Sequence, residues 1–367
     1  MAQIIRTERS QALWGVENVF GLMSTPVRRF GIHDTLVAPD PDISWTPFFG
    51  VGSQNRNRDT ILRGKHSLIG SIPDIRLQGN ADLSFLLAHI WGTRTIINST
   101  AWIVESGNSI LGANYDGRIP SMTMQVAYHD TGNGTPLIRN FVGGKINRAT
   151  LAASEGEELR LSLEEMMFLS ERHNRVGVFG YDPSVFLATD PGLSDAGRFT
   201  FVNANIGYGG MTLARCRKWS ISVDNQLEYR YYIKTTSAAG AAFEPSYNTD
   251  RLQLPNDIVE GKRTFKLEME VDLGDPTTDI AFFEFLRMEG GASTLTKNLG
   301  LSMSCNFSLQ PSEGNFVMTI IGSLGQSSVH PGSVITSAKH SIPAPPAGLI
   351  PVTLSVDVDS IVINTPF

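Results

Sequence analysis

Carboxylate side chains occupy alternate positions in the stretch from Lys262 to Leu273. Glu268, Glu270 and Asp272 fall between apolar residues, and a period of two places the two sets on opposite faces of a β-strand. Such a strand presents one apolar face to a core and one mostly acidic face to its surroundings. The chemistry that this pattern predicts is electrostatic.

Residue patterns typical of catalysis are absent from the sequence. The seven histidines are scattered without metal-ligand spacing, and no glycine-rich phosphate loop or nucleophile elbow occurs. Asp357 and Asp359 alternate on another predicted strand and could hold a divalent cation, although a solvated strand face is the preferred interpretation. We therefore expect a protein that is not an enzyme, with no catalytic residue, no metal and no cofactor.

The acidic strand belongs to a longer unit. A turn at 274–276 follows it, and then a short helix capped by Thr277 or Thr278 and buried through Ile280, Phe283 and Leu286. An earlier stretch, 64–91, has the same order of strand, turn and helix. Gly64 and Gly261, and also Asp82 and Asp279, are separated by the same 197 positions (261 − 64 and 279 − 82).

The likeness between the two stretches extends upstream. The segment 28–32 resembles 217–221 at a separation of 189 positions (217 − 28), which makes the intervening loop about eight residues longer in the second copy. The same elements in the same order predict an internal duplication. The two copies differ in charge, because Glu268 and Glu270 correspond to residues near Ser71 and Pro73.

Composition limits the class of protein. The 367 residues are 41% hydrophobic and 18% charged, with 35 glycines, 19 prolines and a formal net charge of −6. A negative chain is poorly suited to gripping nucleic acid by its phosphates. Two cysteines are typical of a reducing compartment, no apolar run is long enough to span a membrane, and the N-terminus does not resemble a secretory signal.

Many short alternating segments and few helical ones predict a mainly β protein. We expect a first strand over 27–37, a long loop over 38–63, a long strand over 219–233 and a second long loop over 234–260. Trp45, Phe48 and Phe49 lie beside Arg56 and Arg58 in the first loop, a mixture that suits a protein–protein contact. The alternative is a loop folded over its own sheet. The Gly- and Pro-rich segment 171–212 is the predicted domain junction.

Short stretches of the chain resemble the major tail tube proteins of long-tailed, siphovirus-like bacteriophages. The resemblance is carried by 29–34, by the aromatic loop 45–50, by 62–65 leading into 70–73, and by 218–225. It implies two tandem tail-tube-like β-barrel or sandwich domains, each with one short flanking helix. The expected division is an N-terminal arm at 1–26, a first tube domain at 27–205 with a connector at 171–205, and a second at 206–367.

Function follows from the same resemblance. It implies a structural virion protein that assembles into stacked rings, with three two-domain chains per ring, or six, and a channel through which double-stranded DNA passes into the host without specific binding. The implied partners are further copies of the chain and the tape measure, tail terminator and tail tip proteins, in a tail assembled in the host cytoplasm. No membrane partner is expected.

Two surfaces are predicted for such a tube. The residues expected to face the channel are Asp224, Glu228, Glu268, Glu270 and Asp272. The residues expected in contacts between subunits or rings are Trp45, Phe48, Phe49, Arg56, Arg58, Phe243, Tyr247 and Arg251. The alternatives are another tail or baseplate component, a secretion-type tube protein, and a β-rich carbohydrate-binding module or hydrolase.

Overall fold

The computed structural model describes residues 11–48, 60–98, 101–106, 119–129, 136–176, 180–192, 197–200, 204–208, 211–212, 216–232, 254–273, 303–308, 315–321, 334–340, 350–358 and 360–365. This part of the chain is mainly β, as predicted. Its first elements are β1 (Gln11–Val16), β2 (Ile32–His33), β3 (Val37–Phe48), β4 (Thr60–Arg76), α1 (Ala81–Trp91), β5 (Gly92–Asn98), β6 (Ala101–Ser106), β7 (Met122–Tyr128), β8 (Leu137–Ser154), β9 (Arg160–Phe168) and β10 (Ser170–His173).

The remaining elements are all strands within the described ranges. They are β11 (Ala204–Tyr208), β12 (Met211–Thr212), β13 (Cys216–Asp224), β14 (Glu228–Arg230), β15 (Asp257–Val259), β16 (Thr264–Leu273), β17 (Met303–Ser308), β18 (Asn315–Ile321), β19 (Val334–His340), β20 (Ile350–Val358) and β21 (Ser360–Thr365). The helix predicted to follow β16 lies outside the described residues.

One large sheet contains twelve strands, and its main path runs in the order β19-β20-β16-β13-β8-β9-β4-β2. β3 pairs with β4 on the same side as β2, and the first part of β8 pairs with β7 and β10. The ladders are antiparallel. Because β13 pairs with β8, the strands of the two predicted domains meet edge to edge in one sheet.

A second sheet of seven strands runs in the order β12-β11-β17-β18-β21-β6-β5. One hydrophobic core holds buried side chains from the large sheet, from α1 and from this second sheet, among them Trp219, Trp91 and Ile363. The sheets are not closed into a barrel, so the arrangement is a β-sandwich with one described flanking helix.

Alternation along β16 matches the sequence prediction. Phe265, Leu267, Met269 and Val271 are buried, and Lys266 and Glu268 between them are exposed. Neighbouring strands β13 and β20 have the same period. Burying each large apolar side chain contributes about 1.5–3 kcal/mol, which fixes the register because a shift of one residue would put charges into the core.

Helix α1 begins where the repeated pattern predicts. The Asn80 side chain accepts a hydrogen bond from the Leu83 amide at 3.1 Å, and Gly92 follows the helix with a φ of 123°. The last carbonyls find donors elsewhere in the chain. The Arg263 guanidinium donates to the Trp91 carbonyl at 2.8 Å, and the Asn225 amide donates to the Ile90 carbonyl at 3.3 Å.

The long loop predicted at 38–63 is largely a hairpin. β3 and β4 pair from Val37↔Ser71 to Phe48↔Thr60, so the connection is limited to residues 49–59, which lie outside the described part. Three prolines in β3 (Pro39, Pro41 and Pro47) made this segment resemble a loop. An edge strand tolerates proline because the missing N–H faces away from the ladder.

The strand predicted over 27–37 is mostly irregular. Apart from one isolated bridge between Trp14 and Arg28, only Ile32–His33 and the first residue of β3, Val37, pair, and Gly31 has a φ of 106° that breaks the extended backbone. In the predicted N-terminal arm, β1 pairs with β7 and Trp14 is fully buried. Strands thus pair across both predicted boundaries, after residues 26 and 205, and the division into domains stays a prediction.

Candidate functional surface

The large sheet has a face that points away from α1 and the core, here called the polar face. On its central strands it consists of the residues between the buried ones: Ser220, Ser222 and Asp224 of β13, Lys266, Glu268 and Glu270 of β16, and Thr353, Ser355 and Asp357 of β20. Across the ladders Glu268 lies between Ser220 and Ser355, and Lys266 lies between Ser222 and Asp357. The surface is therefore hydrophilic along three adjacent strands.

Cations accompany the predicted channel-facing acids of β16. Lys266 Nζ lies 2.8 Å from Glu268 Oε1, and Lys218 Nζ lies 3.0 Å from Glu270 Oε2. The hydrogen bond to Glu268 raises the pKa of Lys266, so this lysine is charged at any physiological pH. The field of the polar face is consequently much weaker than a count of carboxylates indicates.

Asp272 differs from the other two acids because its side chain is only 7% exposed. It lies 2.6 Å from Arg217 Nε, whose side chain is 53% exposed, so the guanidinium covers the carboxylate. This pair sits where β13 has an irregular register between Cys216 and Lys218. Asp272 is therefore a buried carboxylate paired with a half-exposed arginine at the end of the ladder, and it adds little exposed charge to the polar face.

The first half of the sheet also carries charges. Arg148 Nη2 of β8 lies 2.5 Å from Glu165 Oε2 of β9, and this contact raises the pKa of Arg148. Asp224 lies opposite Arg148 in the β13–β8 ladder. The burial phases of β4 and β16 agree at a separation of 197 positions, which sets Ser71 and Pro73 where β16 has Glu268 and Glu270. On the polar face β16 is thus more acidic than β4. The carboxylate of Glu165 on β9 reduces this difference in acidity between the two halves of the sheet.

The remaining predicted residues lie elsewhere. Glu228 belongs to β14, in a separate two-stranded sheet with β15, and its carboxylate lies 2.8 Å from Arg230. Trp45 and Phe48 are in β3 at the edge of the large sheet, and their side chains lie outside the described part of the structure. Also outside it are Phe49, Arg56, Arg58, Phe243, Tyr247 and Arg251.

The sequence interpretation did not assign roles to the cations Lys218, Lys266, Arg217 and Arg148. Lys266 shares the period of two with Glu268, so its place on the acidic face was visible in the sequence. Arg148 lies across a hairpin from Glu165, because only residues 155–159 separate β8 from β9. Lys218 and Arg217 depend on pairing between β13 and β16, which are distant in the chain, so no local signal could place them next to their carboxylates.

Two groups that could carry out chemistry, Cys216 and His89, are engaged in structural contacts. Burial raises the pKa of the Cys216 thiol to about 12, so it is not a thiolate nucleophile. His89 is fully enclosed, with its ring nitrogens 2.7 Å and 3.2 Å from the carbonyl oxygens of Phe85 and Ser121. Within the described ranges, no group of three or more His, Cys, Asp or Glu side chains could hold a metal ion.

Comparisons with known proteins agree with the geometry. None of the helical residues that the structure describes forms a segment long and apolar enough to cross a membrane. No curated protein matches the chain. A family model described as "Phage tail tube protein" matches residues 8–283, most of the chain and both sides of the β8–β13 ladder. The resemblance to tail tube proteins is thereby confirmed, and the chain belongs to the phage tail tube protein family, structural components of the bacteriophage virion.

Proposed function

We propose that three copies of this chain close into a ring whose polar faces line a channel, and that the rings stack into a tube through which double-stranded DNA leaves the virion. The observation that carries this proposal is the repeated strand order of the large sheet. The strands from the second half of the chain lie in the order β19-β20-β16-β13. The strands from the first half continue the sheet in the order β8-β9-β4-β3.

The two sets of four strands correspond one to one. β16 and β4 contain the repeated sequence stretch, each pairs with a strand that precedes it in the chain, and each pairs on its other side with a strand that follows it. The sets are joined head to tail by the β13–β8 ladder rather than face to face. A head-to-tail contact that repeats at a constant angle produces a ring.

The number of strands supports three chains rather than six. Eight strands per chain give about 24 strands for three chains, and with a spacing of about 4.8 Å and a tilt of about 40° the barrel would be on the order of 48 Å across. Side chains that point inward reduce the open diameter by about 10 Å, and the remaining channel has room for a hydrated DNA duplex. Six chains would double the diameter and leave a channel far wider than its cargo.

Charge on the polar face suits passage without binding. A duplex carries one negative charge per roughly 1.7 Å, and each lysine or arginine free to contact a phosphate strengthens retention. Here Lys218, Lys266 and Arg148 are already bound to carboxylates on the same face. Serine and threonine fill the positions between these ion pairs, so the wall offers hydration without a continuous basic track.

Electron microscopy of the purified chain tests the proposal. We expect hollow tubes built of threefold rings, with the β16 ladder on the inner wall and α1 outside it. Rings of six chains would overturn the stoichiometry. A chain that stays monomeric at millimolar concentration, alone and with tail-tip fractions, would overturn the assembly itself.

A further inference from the structure

We propose that β3 of one chain pairs with β19 of the next copy, in the same register that β13 and β8 have inside a single chain. This inference rests on the proposed ring and names the interface that closes it. Among the described residues, β3 pairs only with β4 and β19 only with β20, so each presents an open edge at opposite ends of the eight-strand path.

β19 occupies the place in the second half that β8 occupies in the first. In the β8–β9 ladder the register shifts between Ile146 and Arg148, and again directly after Arg148. In the β19–β20 ladder it shifts between Ile335 and Ser337. Both residues of the second pair lie 189 positions after those of the first (335 − 146 and 337 − 148). A bulge at the same place in both strands is strong support for their equivalence.

β3 similarly occupies the place of β13. Asp40 pairs with Ile69 of β4, and Ser222 pairs with Lys266 of β16. Ile69 and Lys266 are 197 positions apart (266 − 69), the separation of the repeated stretches. Asp40 therefore corresponds to Ser222. Strand pairing therefore makes β3 and β13 equivalent at a separation of 182 positions (222 − 40). The sequence comparison of 28–32 with 217–221 predicts a separation of 189 positions instead.

The internal ladder then predicts the register between copies. Ser222 lies opposite Thr150 in the β13–β8 ladder. The equivalents of these two residues are Asp40 and Lys339, so the carboxylate of one chain would face the ammonium of the next. Asp40 is 75% exposed although it already contacts Arg139 at 2.8 Å, and Lys339 is exposed. The two open edges are thus complementary in charge at the position that the register selects.

The prolines of β3 determine which strand edge can pair with it. The backbone N–H of Asn225 donates to the backbone carbonyl of Asn147 at 2.8 Å. The next hydrogen-bonded pair along this ladder is therefore Val223 with Ala149. The equivalent of Val223 is Pro41, which has no N–H to donate. The β3 edge can accept bonds from β19 there but cannot exchange them with a second β3 edge. Pairing of β3 with itself is thereby disfavoured, and the head-to-tail contact is selected.

Disulfide trapping tests this register. In a background carrying Cys216→Ala and Cys305→Ala, Asp40→Cys is combined with Lys339→Cys. Opposed residues of an antiparallel ladder have Cα atoms about 4.5–5.5 Å apart, within the range that a disulfide spans. Mild oxidation of assembled tubes should convert most of the protein into covalent dimers and trimers on a non-reducing gel.

Two matched pairs serve as controls. Thr150→Cys with Ser222→Cys occupies the internal ladder and should cross-link within one chain, which also shows that the cysteine variants fold. Asp40→Cys with Ala338→Cys shifts one partner to the opposite face and should cross-link at least tenfold less.

The outcomes separate this inference from the proposed function. Tubes in which Asp40→Cys and Lys339→Cys stay unlinked, or in which the shifted pair links equally well, would overturn the register while leaving the tube intact. A ladder of species that ends at six chains would support the pairing and reject the three-chain ring. If the cysteine-free parent forms no tubes although the internal control links, the ring is rejected and the interface with it.

Discussion

Replacing Asn225 by alanine should destabilise the joint between the two halves of the chain. Asn225 is 1% exposed, and its amide nitrogen donates to the Ile146 carbonyl of β8 at 2.8 Å and to the Ile90 carbonyl of α1 at 3.3 Å. Alanine keeps the backbone bond to Asn147 but leaves two buried carbonyls without this donor. A lost partner costs about 1–3 kcal/mol for each of the two buried groups, so the expected loss is about 2–6 kcal/mol.

Urea unfolding followed by tryptophan fluorescence measures this loss, because Trp91 and Trp219 are buried on either side of the joint. Asn225→Asp should be worse than alanine, since a carboxylate cannot donate to a carbonyl and would be buried with its charge. Ser222→Ala is the control on the same strand: its hydroxyl lies at the surface, 3.4 Å from the Lys266 carbonyl, and should cost less than about 0.5 kcal/mol. An alanine variant within that margin of the parent would refute the role given to the Asn225 amide.

Three further changes test other parts of the argument. Glu268→Lys should leave tubes intact, since an exposed ion pair contributes at most about 1 kcal/mol, yet it adds a basic site to every chain and should make tubes retain duplex DNA at low salt in a sedimentation assay. Pro41→Val should add one interchain hydrogen bond worth about 0.5–1.5 kcal/mol and lower the critical concentration for tube assembly roughly two- to tenfold. Burial, together with the charge of Arg28, lowers the pKa of His89 from its usual value, so its contribution to stability should be lost as the pH falls below about 6.5; His89→Gln should reduce the difference in unfolding free energy between pH 7.5 and 5.5.

Each of these changes has a matched comparison. Glu228→Lys makes the same charge change away from the large sheet, and DNA retention as strong as that of Glu268→Lys would contradict the channel assignment. Pro351→Val introduces an N–H in β20, which already has neighbours on both sides, so an equal gain in assembly would show that the β3 edge is not involved. For His89, an unchanged pH dependence in the glutamine variant would place the titration on another group.

Local patterns predicted the parts of the fold that depend on nearby residues. The alternation of β16 and the helix after β4 are properties of consecutive residues, and the structure confirms both. The β3–β4 hairpin was missed because its prolines are tolerated only at a sheet edge, a fact that depends on strand order. That order comes from pairing between residues as distant as Asp224 and Arg148, which no window of sequence contains.

The polar face shows the same limit at the level of single side chains. The sequence indicated an acidic strand, whereas the structure places Lys218 beside Glu270 and Arg217 beside Asp272. These neighbours come from β13, which ends at Asp224, whereas β16 begins at Thr264. Charge read from one strand therefore overestimates the charge of a sheet surface, because cross-strand pairs cancel it locally.

Open edges and prolines together explain how a chain of this kind can assemble without aggregating. A sheet that must pair with its own copies needs two unpaired edges, and such edges are a hazard in any soluble chain. In this sheet one edge, β3, lacks donors at Pro39 and Pro41, and the other, β19, retains its backbone N–H groups. Two β3 edges then have nothing to exchange at these positions, while β3 and β19 still form half a ladder reinforced by Asp40 and Lys339. A single such contact is weak, and only a closed ring, in which every chain makes it twice, holds the edges together, so closure itself selects the ring over open aggregates.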